Sequence, residues 1–323
     1  MSGPYADNVG PGAVLAAKMA AEDFGGAVAG APIEIISADH QNKVDVGSGI
    51  ARRWYEAEGV DAITEVVSSG VALAVQELSR EKNRMLLATG PGTPELTGKA
   101  CSPVGVHWAY DNVALANVAA GAAVQRGLKS WCFLTADYSF GHGLENEASR
   151  VVRANGGSVL GAARHPLNNP DFSSFLLQAQ ASKAQVVGLA NAGADMANAL
   201  KQANEFGLPQ GGQSLVALLV NLPDIHSLGL ERARGLIFAD SFYWDMNDET
   251  RAWSKRFMER FNGRAPGSLQ AAVYGAVTHY LKAVAATKSD DAKIVAEEMK
   301  RIPINDFHTR NGSIRPDGRV LRD

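Results

Sequence analysis

The feature that most constrains this chain is the regular exchange of short apolar runs with longer amphipathic stretches. Runs of four to six apolar residues alternate with stretches of ten to eighteen that carry one apolar face, the pattern of β-α-β units. A helix is predicted over 10–24, where Val14, Leu15 and Ala17 segregate from Lys18 and Glu22, and Gly25-Gly26 stops it. A strand over 33–36, a helix over 44–58 and a strand over 62–67 follow. Ser68-Ser69-Gly70 opens a helix over 71–80, and Gly90-Pro91-Gly92-Thr93-Pro94 closes a strand over 85–88. From Asp111 the rhythm restarts. Helices are expected over 111–126, 143–154, 171–181 and 195–206, alternating with strands over 131–135, 158–162, 185–189, 215–219 and 235–239. Helices over 248–261, 268–287 and 291–301 come next. The tail, with Pro316-Asp317-Gly318 as its turn signal, reads as a small β-ribbon.

Alternating strands and helices favour parallel sheets, and 323 residues suit two α/β lobes better than one core. In such sheets ligands bind beyond the carboxyl ends of the strands. Those ends carry Ser68-Ser69, 88–93, 137–141 and 191–193, a concentration of small and polar residues.

Other function classes find little support. With 46% hydrophobic and 20% charged residues the chain is not compositionally disordered, and a net charge of −3 offers no basic footprint for nucleic acid. No apolar run approaches the ~18 residues of a membrane span; the longest, 114–124, is interrupted by Asn117 and Gly121. The first residues lack the basic and apolar regions of a signal peptide, so either the protein is cytoplasmic or the chain begins after processing. Cys101 and Cys132 are too few for a disulfide framework, and Cys132 reads as an inert core thiol. Gly92 to Lys99 fails as a phosphate loop, because five residues separate Gly92 from Gly98 and Ala100 follows Lys99. No Gly-x-Ser-x-Gly elbow surrounds Ser68 or Ser69. The seven histidines show no metal-ligand spacing and read as solvated surface groups. No catalytic residue, cofactor or metal is expected.

Several segments together resemble one family. Met1-Ser2-Gly3-Pro4-Tyr5-Ala6-Asp7, Ser68-Ser69-Gly70, Pro94-Glu95-Leu96-Thr97, Tyr138-Ser139-Phe140-Gly141-His142-Gly143-Leu144 and the 312–321 ribbon are similar to the type I periplasmic binding proteins of the branched-chain amino acid (leucine/isoleucine/valine) family. The similarity extends over essentially the whole chain. It implies two Rossmann-like lobes joined by a three-segment hinge near 109–111, 240–244 and 306–310. The first lobe would comprise 1–110 and 242–307, and the second 111–241 and 308–323. It further implies a strand before Met1 and another after Asp323, both outside this sequence.

The resemblance also implies a function: the extracytoplasmic solute-binding subunit of an ABC uptake transporter, periplasmic, monomeric, closing on a small carboxylate in the interlobe cleft and delivering it to a membrane permease. Family members hold the carboxylate with a serine hydroxyl and backbone N–H groups, which map to Ser69, Val71 and the loop Gly90, Pro91, Gly92 and Thr93. A helix N-terminus is independently suited to an anion; plain capping of the helix is the lesser reading for Ser68 and Ser69, and an ordinary loop role is an equal one for Gly90 and Gly92. Amino-acid binders of the family use an acidic residue near 220–222 for the α-ammonium, and here that stretch is Val220-Asn221-Leu222. An unpaired buried ammonium is costly, which favours an aromatic acid of the hydroxybenzoate or phenylpropanoid type. Tyr5, Tyr138, Phe140, Asn191, Asn221 and Phe242 would complete the pocket. An amino-acid binder remains the alternative if Asp195, Asp224 or Asp240 reaches the ligand, and a sensor or receptor domain would share the fold.

Overall fold

The structure, a computed structural model, describes Tyr5 and residues 9–322. The rest of the amino-terminal motif (Met1 to Pro4, Ala6 and Asp7) lies outside the described residues. The chain divides into two compact units, Met1–Tyr110 with Ser241–Asp323 and Asp111–Asp240.

In the first unit, helix α1 (Gly10–Asp23) carries a proline in its first turn, where a missing N–H costs no hydrogen bond. Its small residues Ala13, Ala16, Ala17 and Ala20 are buried. Strands β1 (Ala27–Val28) and β2 (Ala31–Pro32) form a short antiparallel pair. Helix α2 (Val44–Glu56), strand β3 (Ala62–Glu65), helix α3 (Ser69–Lys82), strand β4 (Met85–Ala88), a 3-10 turn (Pro94–Thr97) and strand β5 (Gly105–His107) follow. The order β3-β4-β5 is parallel throughout, with Ile63 opposite Leu86 and Leu87 opposite Val106. Every residue of β4 is buried, as a central strand covered on both faces requires. The strand predicted over 33–36 is not formed. Apolar alternation is present, but among the described residues no neighbouring strand completes a ladder with it.

The second unit begins where Asp111 Oδ1 accepts from Ala114 N at 2.7 Å and caps α4 (Asn112–Gln125). Strand β6 (Ser130–Ala136), helix α5 (Ser139–Ala154), strand β7 (Ser158–His165), helix α6 (Ser173–Ala181), strand β8 (Val186–Ala190), helix α7 (Gly193–Glu205), strand β9 (Ser214–Ala217) and helix α8 (Leu222–Leu228) follow. The sheet is parallel in the order β7-β6-β8-β9. Leu134, Phe172, Leu176, Val187, Leu189 and Met196 form its core. The strand predicted over 235–239 contracts to one parallel bridge between Val216 and Ile237. Leu236 and Phe238 pack against the core, and this packing supplies the apolar signal without an extended ladder. Helix α8 was not predicted.

The chain then returns to the first unit with α9 (Asp248–Arg260), α10 (Ser268–Thr287) and α11 (Ala292–Arg301), followed by the antiparallel strands β10 (Ser313–Ile314) and β11 (Val320–Leu321). Met19, Phe242, Trp253, Phe257 and Leu281 share a core here, and the Trp253 and Phe307 rings stack at 4.4 Å. Residues 308–322 differ from the expected division, which gave them to the second lobe. They pack with the first unit because Ile304 bridges Gly312, Arg319 bridges His107, and Arg322 Nη2 donates to Trp108 O at 2.9 Å.

Two glycines test this packing. A Cβ at Gly141, in the first turn of α5, would run into Ala136 O and stand 2.9 Å from its carbonyl carbon, whereas a Cβ at Gly49 in α2 meets nothing within 4 Å. Gly141→Ala is expected to destabilise the fold by about 1–3 kcal/mol through overpacking. Gly49→Ala is expected to stabilise it by roughly 0.5–1 kcal/mol through lower chain entropy. Urea denaturation midpoints of the two variants measure both.

Candidate functional site

Because the main sheet of each unit is parallel, the carboxyl ends of its strands gather along one edge. In the first unit that edge is built by the ends of β3 and β4. Glu65 and Val66 close β3 with φ of 76° and 54°, values rare for any residue but glycine and strained for β-branched Val66 above all. The kink lets Glu65 O accept from both Thr89 N and Gly90 N at 3.3 Å, tying the two strand ends together. A Cβ at Gly90 would collide with Glu65 Oε1 and come within 2.8 Å of Val67 Cα, so only glycine fits.

The loop beyond β4 is anchored by its carbonyls. Tyr110 O–H donates to Gly90 O at 2.9 Å, and His107 Nε2 donates to Pro91 O at 2.8 Å. Thr93 is explained by capping, since its Oγ1 accepts from Glu95 N at 3.3 Å. The serines are not. Ser68 occupies the N-cap of α3 without a side-chain cap bond, and Ser69 Oγ is buried with no hydrogen-bond partner. Ser69 and Gly70 together with Val71 N precede the first intrahelical bond, which runs from Ala72 N to Ser68 O. An orphan hydroxyl beside free helix donors is an arrangement that an anion completes. Val71's side chain itself belongs to the core.

In the second unit, β6 runs into Asp137, whose Oδ1 lies 2.7 Å from His142 Nε2. Tyr138 follows at the N-cap of α5, and its ring stands 5.9 Å from that of buried Phe140. β7 ends in buried His165 and β8 runs into buried Asn191, while Asn221 is the N-cap residue of α8. The predicted wall residues Tyr138, Phe140 and Asn191 thus share one sheet edge.

Three acidic groups near these ends are spent on local backbone. Asp195 accepts from Asn168 N and Asn169 N at 3.0 and 2.9 Å, Asp224 from Asn221 N at 3.1 Å, and Asp240 from Leu222 N at 3.3 Å.

Two other predicted residues sit elsewhere. Phe242 is built into the core of the first unit, edge-on to Trp253 at 6.0 Å. Buried Tyr5 lines a cavity of about 720 Å3 in the same unit, together with Ala13, Ile33, Ile35, Ile63 and Val273. That cavity lies between residues 33–36 and β3, which lack ladder partners on the facing sides, and its lining reaches past the end of β3 to Val66 and Val67.

The expectation of surface histidines fails for His107, His165 and His279, all at most 2% exposed, and for His308, whose side chain contacts Asp306 at 3.2 Å. His165, His279 and His308 pack against aromatic rings and His107 is held by a backbone carbonyl, contacts that sequence spacing does not reveal. Glu65 has a sequence signal of its own, an acid inside an apolar run. Cys132 is buried, as expected, and burial pushes its thiol up. Among the described residues there is no cluster of potential metal ligands, and no helix is long and apolar enough to cross a membrane.

Comparison with known proteins agrees with this architecture. The periplasmic binding protein family matches over residues 1–323, and the chain belongs to that family. A periplasmic binding protein from Burkholderia mallei is 48% identical with a TM-score of 0.97, covering 100% of this chain and 85% of that one. A branched chain amino acid ABC transporter periplasmic ligand-binding protein from Burkholderia xenovorans LB400 is 40% identical with a TM-score of 0.87, covering 100% and 86%. A Leu/Ile/Val-binding protein homolog from Brucella melitensis is 25% identical over 249 residues, 71% of this chain, and the match spans only 62% of that relative's length. The fold is that of the type I periplasmic binding proteins.

Glu65 gives the site edge a pH signature. Burial pushes its carboxyl up to about 8, against an opposing hydrogen bond from Val67 N–H. The native state therefore holds a proton that the unfolded chain releases near its ordinary value of 4.5. Stability is expected to fall as pH rises from about 4.5 to about 8, by up to about 1.4 kcal/mol per unit. Glu65→Gln should flatten that slope in urea denaturation measured across the same range.

Proposed function

We propose that this chain is the extracytoplasmic solute-binding subunit of an ABC uptake transporter and that its ligand is a small carboxylate, an aromatic acid of the hydroxybenzoate or phenylpropanoid type. Ser69, the N–H groups up to Val71 and the loop 90–93 receive the carboxylate. Tyr138, Phe140 and Asn191 accept the ring. The protein performs no chemistry on the ligand; it hands the ligand to a membrane permease on the periplasmic side.

The observation that carries the ligand class is the engagement of Asp195, Asp224 and Asp240 with backbone N–H groups. An α-ammonium would have to compete for carboxylates already fixed in turns and caps, whereas an acid without an ammonium makes no such demand. The half-buried Tyr138 ring beside Phe140 suits a flat apolar partner. A second reading, an amino-acid binder, is favoured by the descriptions of the Burkholderia xenovorans and Brucella relatives.

A thermal-shift screen separates the two. A ligand of the native state at ~100 Kd adds about 2.7 kcal/mol of stability. Hydroxybenzoates or phenylpropanoid acids are expected to raise the melting temperature, with no shift from leucine or valine; the reverse result makes the protein an amino-acid binder. Ser69→Ala is expected to weaken the bound acid about tenfold, the loss of one charge-assisted hydrogen bond. The same change should slightly raise the ligand-free melting temperature, because it removes an unpaired buried hydroxyl.

A further inference from the structure

His165, the last residue of β7, is fully buried, with its ring 4.7 Å from that of Phe172 and 6.1 Å from that of Phe175. Its Nδ1 lies 2.9 Å from Pro166 O. A carbonyl oxygen has no proton to offer, so Nδ1 carries the hydrogen. Burial also disfavours the charged ring, and in the neutral form Nε2 is then a bare acceptor.

Asn191 Nδ2 lies 3.1 Å from this Nε2. Only the amide NH2 can satisfy a bare ring nitrogen; the reversed amide would set two lone pairs against each other. The polarity of Asn191 is thereby imposed from Pro166 through His165, and Asn191 Oδ1 is turned away from the imidazole. That oxygen is buried and has no partner in the protein. Native structures rarely leave a buried acceptor unpaired without a use for it. Thr135 Oγ1, on the adjacent strand, is likewise buried and unpartnered, but a hydroxyl serves as donor or acceptor. Asn191 Oδ1 can only accept. It directly follows β8, whose Ala190 is in register with Thr135 of β6, the strand that leads to Tyr138.

We propose that Asn191 is a specificity-determining residue that reads a hydrogen-bond donor on the ligand, a ring hydroxyl on an aromatic acid, and that His165 is the positioning residue that sets its polarity. This inference rests on the aromatic-acid reading above. It adds that the bare acid is the poorer ligand, because it leaves Oδ1 unpaired as before.

Calorimetric titration of the full chain with benzoate, 3-hydroxybenzoate and 4-hydroxybenzoate tests it. At least one hydroxybenzoate is expected to bind about tenfold more tightly than benzoate, the effect of one buried hydrogen bond. Asn191→Leu should bring that ratio close to one. His165→Phe should lower it by freeing the amide to turn, and His165→Gln, whose amide oxygen again accepts from Asn191 Nδ2, should restore it. A loss of folding would remove both affinities together and leave no ratio, and the wild-type ratio needs no variant at all. Equal affinity for all three acids in the wild type, or a ratio that survives in Asn191→Leu, overturns the inference while sparing the aromatic-acid reading. Failure of all three acids to bind overturns this inference, and failure of the phenylpropanoid acids in the thermal-shift screen as well overturns the aromatic-acid reading.

Discussion

In both units the strands of the sheet run in one direction, and a parallel ladder delivers every strand's carboxyl end to the same edge. Residues far apart in the chain thus become neighbours without any contact designed between them. Tyr138, His165, Asn191 and Asn221 stand at or beyond the carboxyl ends of four different strands and lie along one edge because β7-β6-β8-β9 is one ladder. The buried apolar strands that make this possible, Trp131 to Ala136 above all, carry none of the chemistry and decide where all of it sits.

What distinguishes the groups along those edges is whether their hydrogen-bonding capacity is already used. Asp195, Asp224 and Asp240 are consumed by turns and caps, as is Thr93 by the turn it opens. Ser69, Thr135 and Asn191 retain a buried atom without a partner. A binding protein needs such unfinished groups, since a site whose every donor and acceptor is internally paired has nothing with which to discriminate. The cost is carried by the scaffold around them, through devices such as the Glu65 kink that binds β3 to β4.

The alternation of elements was readable from the residues because parallel sheets need continuous apolar runs, and strand β4 and helix α10 lie where the pattern put them. The errors share a physical origin. Residues 33–36 and 235–239 have strand-like composition, but a strand exists only through its neighbour, and pairing is not written in the segment itself. Helix α8 has no sequence signature because seven residues carry too little periodicity. At the candidate site, Ser69 and Asn191 stood out as polar residues at strand ends, whereas His165 did not. Its importance lies in which ring nitrogen holds the proton, and that follows from one carbonyl 2.9 Å away, invisible to any spacing rule.

The carboxyl-terminal ribbon has a mechanical consequence. Arg319 Nη1 donates to Ala109 O, Arg322 Nη2 to Trp108 O, and His107 N to Gly318 O, so the last residues splint the strand that leads out of the first unit. Tyr110 is pinned in turn by its bond to Gly90 O. The chain therefore leaves the first unit from a clamped mount, with His107 to Tyr110 held from one side by the ribbon and from the other by the loop beyond β4.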